Sequence, residues 1–245
     1  MDKLNKVARI TLIFWLMKII ATTLGETLGD YISMTLNLGY LTAGLVTLLF
    51  FVIVLTIQLS NTRHVPVLYW LVIIATTTFG TEISDFIDRS LHTGYALGSL
   101  LLLSGLAATL FIWYRKFGNL QVYPIFNRNQ ETYYWVAILF SNSLGTAFGD
   151  FLSDVVGLTY FHGAIVTACV ILFVVFLHYF TRIDHIILFW IAFIFTRPFG
   201  ATFGDFLTKP VANGGLALGT LTASLVSLAL MIALIIFSHR RRNSI

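Results

Sequence analysis

Residues Trp15–Asp30 read WLMKIIATTLGETLGD, and the pattern returns as Trp70–Asp85 (WLVIIATTTFGTEISD), Trp135–Asp150 (WVAILFSNSLGTAFGD) and Trp190–Asp205 (WIAFIFTRPFGATFGD). Each copy places a glycine ten residues after its tryptophan, at Gly25, Gly80, Gly145 and Gly200, and ends on an aspartate fifteen residues after it. The tryptophans are 55, 65 and 55 residues apart, so the chain divides into four repeats and two halves, 1–120 and 121–245. A repeat of this length is one supersecondary unit copied in tandem, and it decides the architecture.

Composition names the solvent. The chain is 58% hydrophobic and 11% charged, with a mean hydropathy of +0.87; a soluble domain is about 25% charged. Eight apolar runs, about 8–32, 39–59, 65–87, 92–114, 132–154, 159–180, 185–207 and 215–238, are each long enough to cross a bilayer as helix. The fold class expected is therefore all-α and integral to the membrane, with eight transmembrane helices as four two-helix repeats. Lys18 interrupts the first apolar run and no small-residue cleavage site follows, so the N-terminus does not read as a cleaved signal. Cys169 stands alone inside an apolar run and says nothing of compartment.

Basic residues set the orientation. Eleven of the 15 lie in the tails and between repeats: Lys3, Lys6, Arg9, Arg63, Arg115, Lys116, Arg128, Arg182, Arg240, Arg241 and Arg242. The turns inside the repeats carry only Arg89 and Lys209. The positive-inside rule then puts both termini and the inter-repeat connections in the cytoplasm. The net charge of +4 reflects this asymmetry, and no basic-aromatic pattern for nucleic acid is present. All four repeats share one orientation, which implies pseudo-symmetry about an axis along the membrane normal. The odd helices, with the tryptophan and the acid, are expected inside. The plainer even helices, with Gly44, Gly98, Gly163 and Gly219 near their starts, are expected to face lipid.

The segments KIIATTLGETLGD (Lys18–Asp30) and TRPFGATFGD (Thr196–Asp205) resemble a family of uncharacterised bacterial membrane proteins described as four tandem repeats of unknown function, each with two membrane helices and a tryptophan. The resemblance spans essentially the whole chain. It implies this fold and a bacterial inner membrane, and it transfers no activity.

The chemistry must come from the odd helices. Steps of four residues stay on one helix face. Thr22, Glu26 and Asp30 form one polar stripe; Thr77, Thr81 and Asp85 form a second; Asn142, Thr146, Asp150 and Asp154 form a third. Such stripes must face other helices or water. Hydroxyls there also bond their own backbone, and the glycines spaced four apart (Gly25 and Gly29, Gly145 and Gly149, Gly200 and Gly204) suit close helix packing.

Eight of the 11 acids, Glu26, Asp30, Glu82, Asp85, Asp88, Asp150, Asp154 and Asp205, cluster at the outer ends of odd helices. There they oppose the helix dipole, a loss of about 0.3–1 kcal/mol each at exposed sites. Compensation must come from a bound cation, protons or basic side chains. Lys18 and Arg197 are the internal charge partners expected to turn inward. Oxygen ligands suit a hard divalent cation such as Mg²⁺, Mn²⁺ or Ca²⁺. The expected cation- and proton-binding set is Glu26, Asp30, Glu82, Asp85, Asp150, Asp154 and Asp205, with Glu26, Asp30, Asp85, Asp150 and Asp205 as metal ligands. Thr22, Thr77, Thr81, Asn142 and Thr146 would line the path, and His162 is an outlying candidate ligand. These residues are expected to surround a polar cavity opening outward.

No nucleophile elbow, P-loop, zinc-protease motif, dinucleotide fingerprint or haem-attachment motif occurs, so no enzyme is expected. The function read from the residues is membrane transport of a small cation, possible proton exchange included, with lipid, cation and protons as partners. The alternatives are transport of a small organic or anionic solute held by Lys18 or Arg197, and a non-transport assembly role in which the aspartates only hold the bundle together. Oligomeric state leaves no mark in the sequence.

Overall fold

A computed structural model describes residues 5–243, with side chains as far as residue 238. Lys3 and the side chains of Arg240, Arg241 and Arg242, which enter the charge asymmetry, lie outside the described residues. Eight long helices follow in order: α1 (Leu12–Asp30), α2 (Gly39–Ser60), α3 (Pro66–Asp85), α4 (Tyr95–Phe117), α5 (Arg128–Asp150), α6 (Tyr160–Phe180), α7 (His185–Thr208) and α8 (Thr220–Asn243). Seven are long and apolar enough to cross a membrane; α5, which opens on Arg128, Asn129, Gln130 and Glu131, is the exception.

Local chemistry moves several boundaries from those expected. The first helix starts at Leu12, because Thr11 caps it by accepting from the Phe14 N–H at 3.2 Å. The fifth starts four residues early, where Asn127 accepts from the Asn129 N–H at 2.8 Å. Gly118, in the left-handed conformation at φ 75°, ends α4.

Three inner helices do not stop at their aspartates. They widen into one π turn each, over Tyr31–Thr35, Phe86–Ser90 and Phe151–Val155. Hydrogen bonds five residues apart mark the change, such as Leu36 N–H to Tyr31 O at 2.9 Å and Val156 N–H to Phe151 O at 3.0 Å. The fourth repeat cannot copy this. Pro210 has no N–H to give, and Lys209 before it is extended at ψ 160°.

The odd helices α1, α3, α5 and α7 pack side by side in a closed inner ring, each against the next and α7 against α1. Burial follows this division. Buried residues make up 61% of the apolar stretches of α1 and α7 and 78% of that of α3, against 22–28% for the even helices. The even helices turn Leu45, Leu49, Leu101, Leu172, Phe173 and Leu225 outward.

Each repeat runs out and back as the sequence predicts, but its two helices do not form a packed pair. The return helix packs chiefly on the inner helix of the next repeat: α2 on α3, α4 on α5, α6 on α7, and α8 on α1. Every repeat is therefore clasped by its neighbour, and the last helix closes the circle.

The repeated glycines make this ring possible. A methyl group on Gly25 would collide with Thr77, on Gly145 with Arg197 and on Gly200 with Thr22; on Gly80 it would fall 3.1 Å from the Ser143 nitrogen and 3.3 Å from the Asn142 Cβ. In each case the glycine ten residues after one tryptophan meets the residue seven after the next, so the same contact recurs four times around the ring. All four inner helices consequently run in one direction, with a tryptophan end and an acid end.

Gly200→Leu should lower the thermal unfolding midpoint in detergent, since forcing bulk into a packed interface costs about 1–3 kcal/mol or more. Leu45→Ala, on the exposed face of α2, should leave it nearly unchanged. Equal midpoints for parent and Gly200→Leu would contradict the ring contact.

Candidate functional site

The inner ring is polar along its axis, and its middle is occupied by two buried basic side chains. Lys18 and Arg197 are both fully buried. Arg197 meets the expected acid: its Nη2 lies 2.8 Å from Glu26 Oε2, and it also donates to Thr81 and Thr146 hydroxyls at 2.6 Å each. Lys18 departs from expectation. No ion pair to it is found among the described residues; it donates to Asn142 Oδ1 at 2.9 Å and sits 4.0 Å above the Phe193 ring. The Asn142 amide passes the chain on to Thr76 Oγ1 at 3.0 Å. Phe193 occupies in α7 the level that Lys18 holds in α1, which explains why an aromatic face takes the place of a carboxylate.

At the acid end the four repeated aspartates are at most 4% exposed. Two bases join them in pairs across neighbouring helices. Lys209 Nζ lies 2.6 Å from Asp30 Oδ2 and 3.3 Å from Asp205 Oδ1. Arg89 lies 3.5 Å from Asp85 Oδ1 through Nε and 3.0 Å from Asp150 Oδ2 through Nη2. Arg89 also donates to Tyr40 and Tyr95 hydroxyls at 3.0 and 3.2 Å, and Tyr95 in turn donates to the exposed Asp154 at 2.7 Å. Burial works against the Lys209 ammonium, but Asp205 and Asp30 outweigh it and hold its pKa above the ordinary lysine value.

The expected outward-opening cavity is thus closed in this structure: basic side chains bridge the aspartates that would line it. The seven expected cation-binding residues fall into three groups. Glu26, Asp30 and Asp205 converge, each offering a carboxylate oxygen within 4.8 Å of the other two. Asp85 and Asp150, also expected as metal ligands, share Arg89 on the other side of the ring, with Asp154 beyond Tyr95. Glu82 stands apart. It is fully buried, its carboxylate lies against Gly29 of α1 with Ser33 nearby, and no ion pair to it is found among the described residues.

The expected path residues serve largely as stitches between helices. Thr22 bonds Ile19 O at 2.8 Å within its own helix and Thr196 O at 3.2 Å in α7; Thr77 bonds Ile74 O at 2.8 Å and Ala21 O at 3.2 Å in α1. Thr81, Thr146 and Asn142 instead hold the buried basic side chains. His162 is exposed and pairs with Thr159 Oγ1 at 2.6 Å at the start of α6, so it belongs to a helix cap.

A second charge cluster, not expected from the sequence, lies at the tryptophan end. Glu131 is fully buried and ion-paired with Lys6, one of the basic residues of the N-terminal tail. Gln58 donates to Glu131 at 2.8 Å and to Lys6 O at 3.0 Å, and Trp135 Nε1 reaches Glu131 at 3.3 Å. Ile125, from the connection between the halves, donates to Asn5 Oδ1 at 3.1 Å. The segment Asn5–Val7 is thereby drawn into the end of the bundle. Gln58, on an otherwise apolar helix, was the available signal.

Arg197→Met should destabilise the protein by about 3–5 kcal/mol, because it strands the Glu26 carboxylate in a dry interior. Adding Glu26→Gln should recover most of that loss. A double variant no more stable than Arg197→Met would show that the pair is not the coupled unit.

Four stretches of the chain, residues 13–64, 68–118, 133–184 and 188–244, match the family model described as Repeat of Unknown Function (DUF347). No curated protein and no solved structure matches the chain. The four matches follow the four structural repeats and cover nearly all of the sequence, so the chain belongs to the DUF347 repeat family.

Proposed function

We propose that this is a multi-pass protein of the bacterial inner membrane, with both termini cytoplasmic, that moves a small cation across the bilayer without enzymatic chemistry. The observation that carries the reading is the convergence of Glu26, Asp30 and Asp205, three buried carboxylates from two inner helices, at one end of a polar axis. Buried acids are costly, and a set that can share one cation is a functional signature in a membrane. Hard divalent ions such as Mg²⁺, Mn²⁺ or Ca²⁺ suit an all-oxygen set. Seven buried acids stand at this end against Arg89, Arg197 and Lys209, which leaves room for cations or protons to supply the remaining positive charge. Exchange of protons for the metal ion fits that deficit. Thr81, Thr146, Asn142 and Lys18 continue the polar axis toward the tryptophan end, where the Lys6–Glu131 cluster forms the opposite closure.

A solute carrier built around Lys18 or Arg197 is less well supported, since both side chains are packed against protein groups. An assembly role has one observation in its favour: Arg89 ties Asp85, Asp150, Tyr40 and Tyr95 into a network that reads as structural.

Protein reconstituted in liposomes should carry Mn²⁺ or Mg²⁺, and Asp205→Asn or Glu26→Gln should abolish the flux while the protein still elutes as a folded species. Folded parent protein that moves no cation, with the variants lowering only thermal stability, would favour the assembly role. Cysteines at the exposed Asn37 and Gly157 should react with an impermeant maleimide from the periplasm, and one at Asn119 from the cytoplasm. The reverse pattern would overturn the orientation.

A further inference from the structure

Lys209 and Arg89 hold equivalent places, nineteen residues after Trp190 and Trp70, and each bridges two aspartates. They are not anchored alike. Arg89 sits inside a π turn and has two tyrosine hydroxyls besides its carboxylates. Among the described contacts, the Lys209 ammonium touches only Asp30 and Asp205. Its backbone has already left the helix, held extended by Pro210, and its side chain is 20% exposed.

The carboxylates around the two bases differ as well. One turn deeper than Asp30 in α1 is Glu26, close to both Asp30 and Asp205. The equivalent position in α5 is Thr146, which offers no charge. Glu26 therefore stands beside the pair that Lys209 bridges, whereas Arg89 bridges two aspartates with Asp88 and Asp154 at its margin. A further carboxylate, Glu82, is buried against Gly29, near Asp30 and Glu26, with no ion pair among the described residues.

We infer that Lys209 is a tethered stand-in for the transported ion: its ammonium holds the cation position between Asp30 and Asp205, beside Glu26, and a free divalent cation enters by displacing it toward the acid-end surface. The inference rests on the cation-transport reading and adds the regulation and charge class of the same site. The aspartates are nearly inaccessible, so the room for an ion is the room the ammonium gives up. A monovalent ion would exchange one charge for one against a competitor whose short tether gives it an effective concentration of about millimolar or more. A divalent ion brings one additional charge, and Glu82, to which no basic partner is found among the described residues, is a carboxylate nearby to match it. Selectivity for divalent over monovalent cations follows from this competition.

Two measurements on the purified full-length protein test the inference. In equilibrium dialysis with Mn²⁺, Lys209→Met should bind the ion about tenfold more tightly than the parent, and Asp205→Asn should lose binding. On the unmodified protein, Mn²⁺ should raise the rate at which an amine-acylating reagent modifies Lys209 several-fold, read by peptide mass spectrometry; this second measurement decides alone if Lys209→Met does not fold. Unchanged Mn²⁺ affinity in Lys209→Met, or Lys209 acylation that Mn²⁺ leaves unchanged or slows, would overturn the tethered-cation role. Provided Asp205→Asn still abolished binding, the cation site itself would stand. No Mn²⁺ binding by any form would overturn both.

Discussion

One nitrogen atom touches all four inner helices. Arg197 Nη2, from α7, lies within hydrogen-bond reach of Glu26 in α1, Thr81 in α3 and Thr146 in α5. A guanidinium in a dry interior needs its charge met; Glu26 meets it, Nε and Nη1 find no hydrogen-bond partner among the described residues, and the Nη2 contacts fix where the four helices stand relative to one another. The surrounding geometry follows. Gly145 must be glycine to admit the Arg197 stem, and the hydroxyls at Thr81 and Thr146 must face the axis. Asp30 and Asp205, on the same two helices as Glu26 and Arg197, are brought together at the acid end.

The four-fold frame and the two-fold charges answer different needs. Backbone contacts between repeated glycines and the residues facing them recur around the whole ring, because close approach depends only on the absence of a side chain. The groups that enter the axis differ from repeat to repeat. Seven residues after the tryptophans stand Thr22, Thr77, Asn142 and Arg197; eleven after stand Glu26, Thr81, Thr146 and Ala201. The repeated scaffold supplies a closed ring of helices, and its differences bring Glu26, Asp30 and Asp205 together beside α1 and α7. Arg89 and Lys209 then divide the acid end into a heavily anchored pair and a lightly anchored one.

Much of this was legible in the sequence. Helix number, the inner position of the odd helices and the gathering of acids at one end all follow from the tryptophan interval and a four-residue polar step, since both are properties of single helices. The neighbour that each return helix packs on is a property of the assembled ring, and hydropathy does not encode it. The π turns after Asp30, Asp85 and Asp150 left no compositional trace, although Pro210 did mark where a fourth could not form. Lys18 lies inside the ring, where an asparagine and a phenylalanine from other helices meet it in place of the expected carboxylate. The Lys6–Glu131 cluster joins residues 125 positions apart, and only the folded bundle brings them together.

The account turns on whether a cation can take the place between Glu26, Asp30 and Asp205. Anomalous diffraction from crystals grown with Mn²⁺ addresses this directly. The expected result is a single strong peak at metal–oxygen bonding distance from these three carboxylates, with the Lys209 side chain moved off Asp30. Crystals with Mn²⁺ in the solvent, no peak at the acid end, and Lys209 still seated between Asp30 and Asp205 would contradict it, leaving the buried acids as internal supports of the ring.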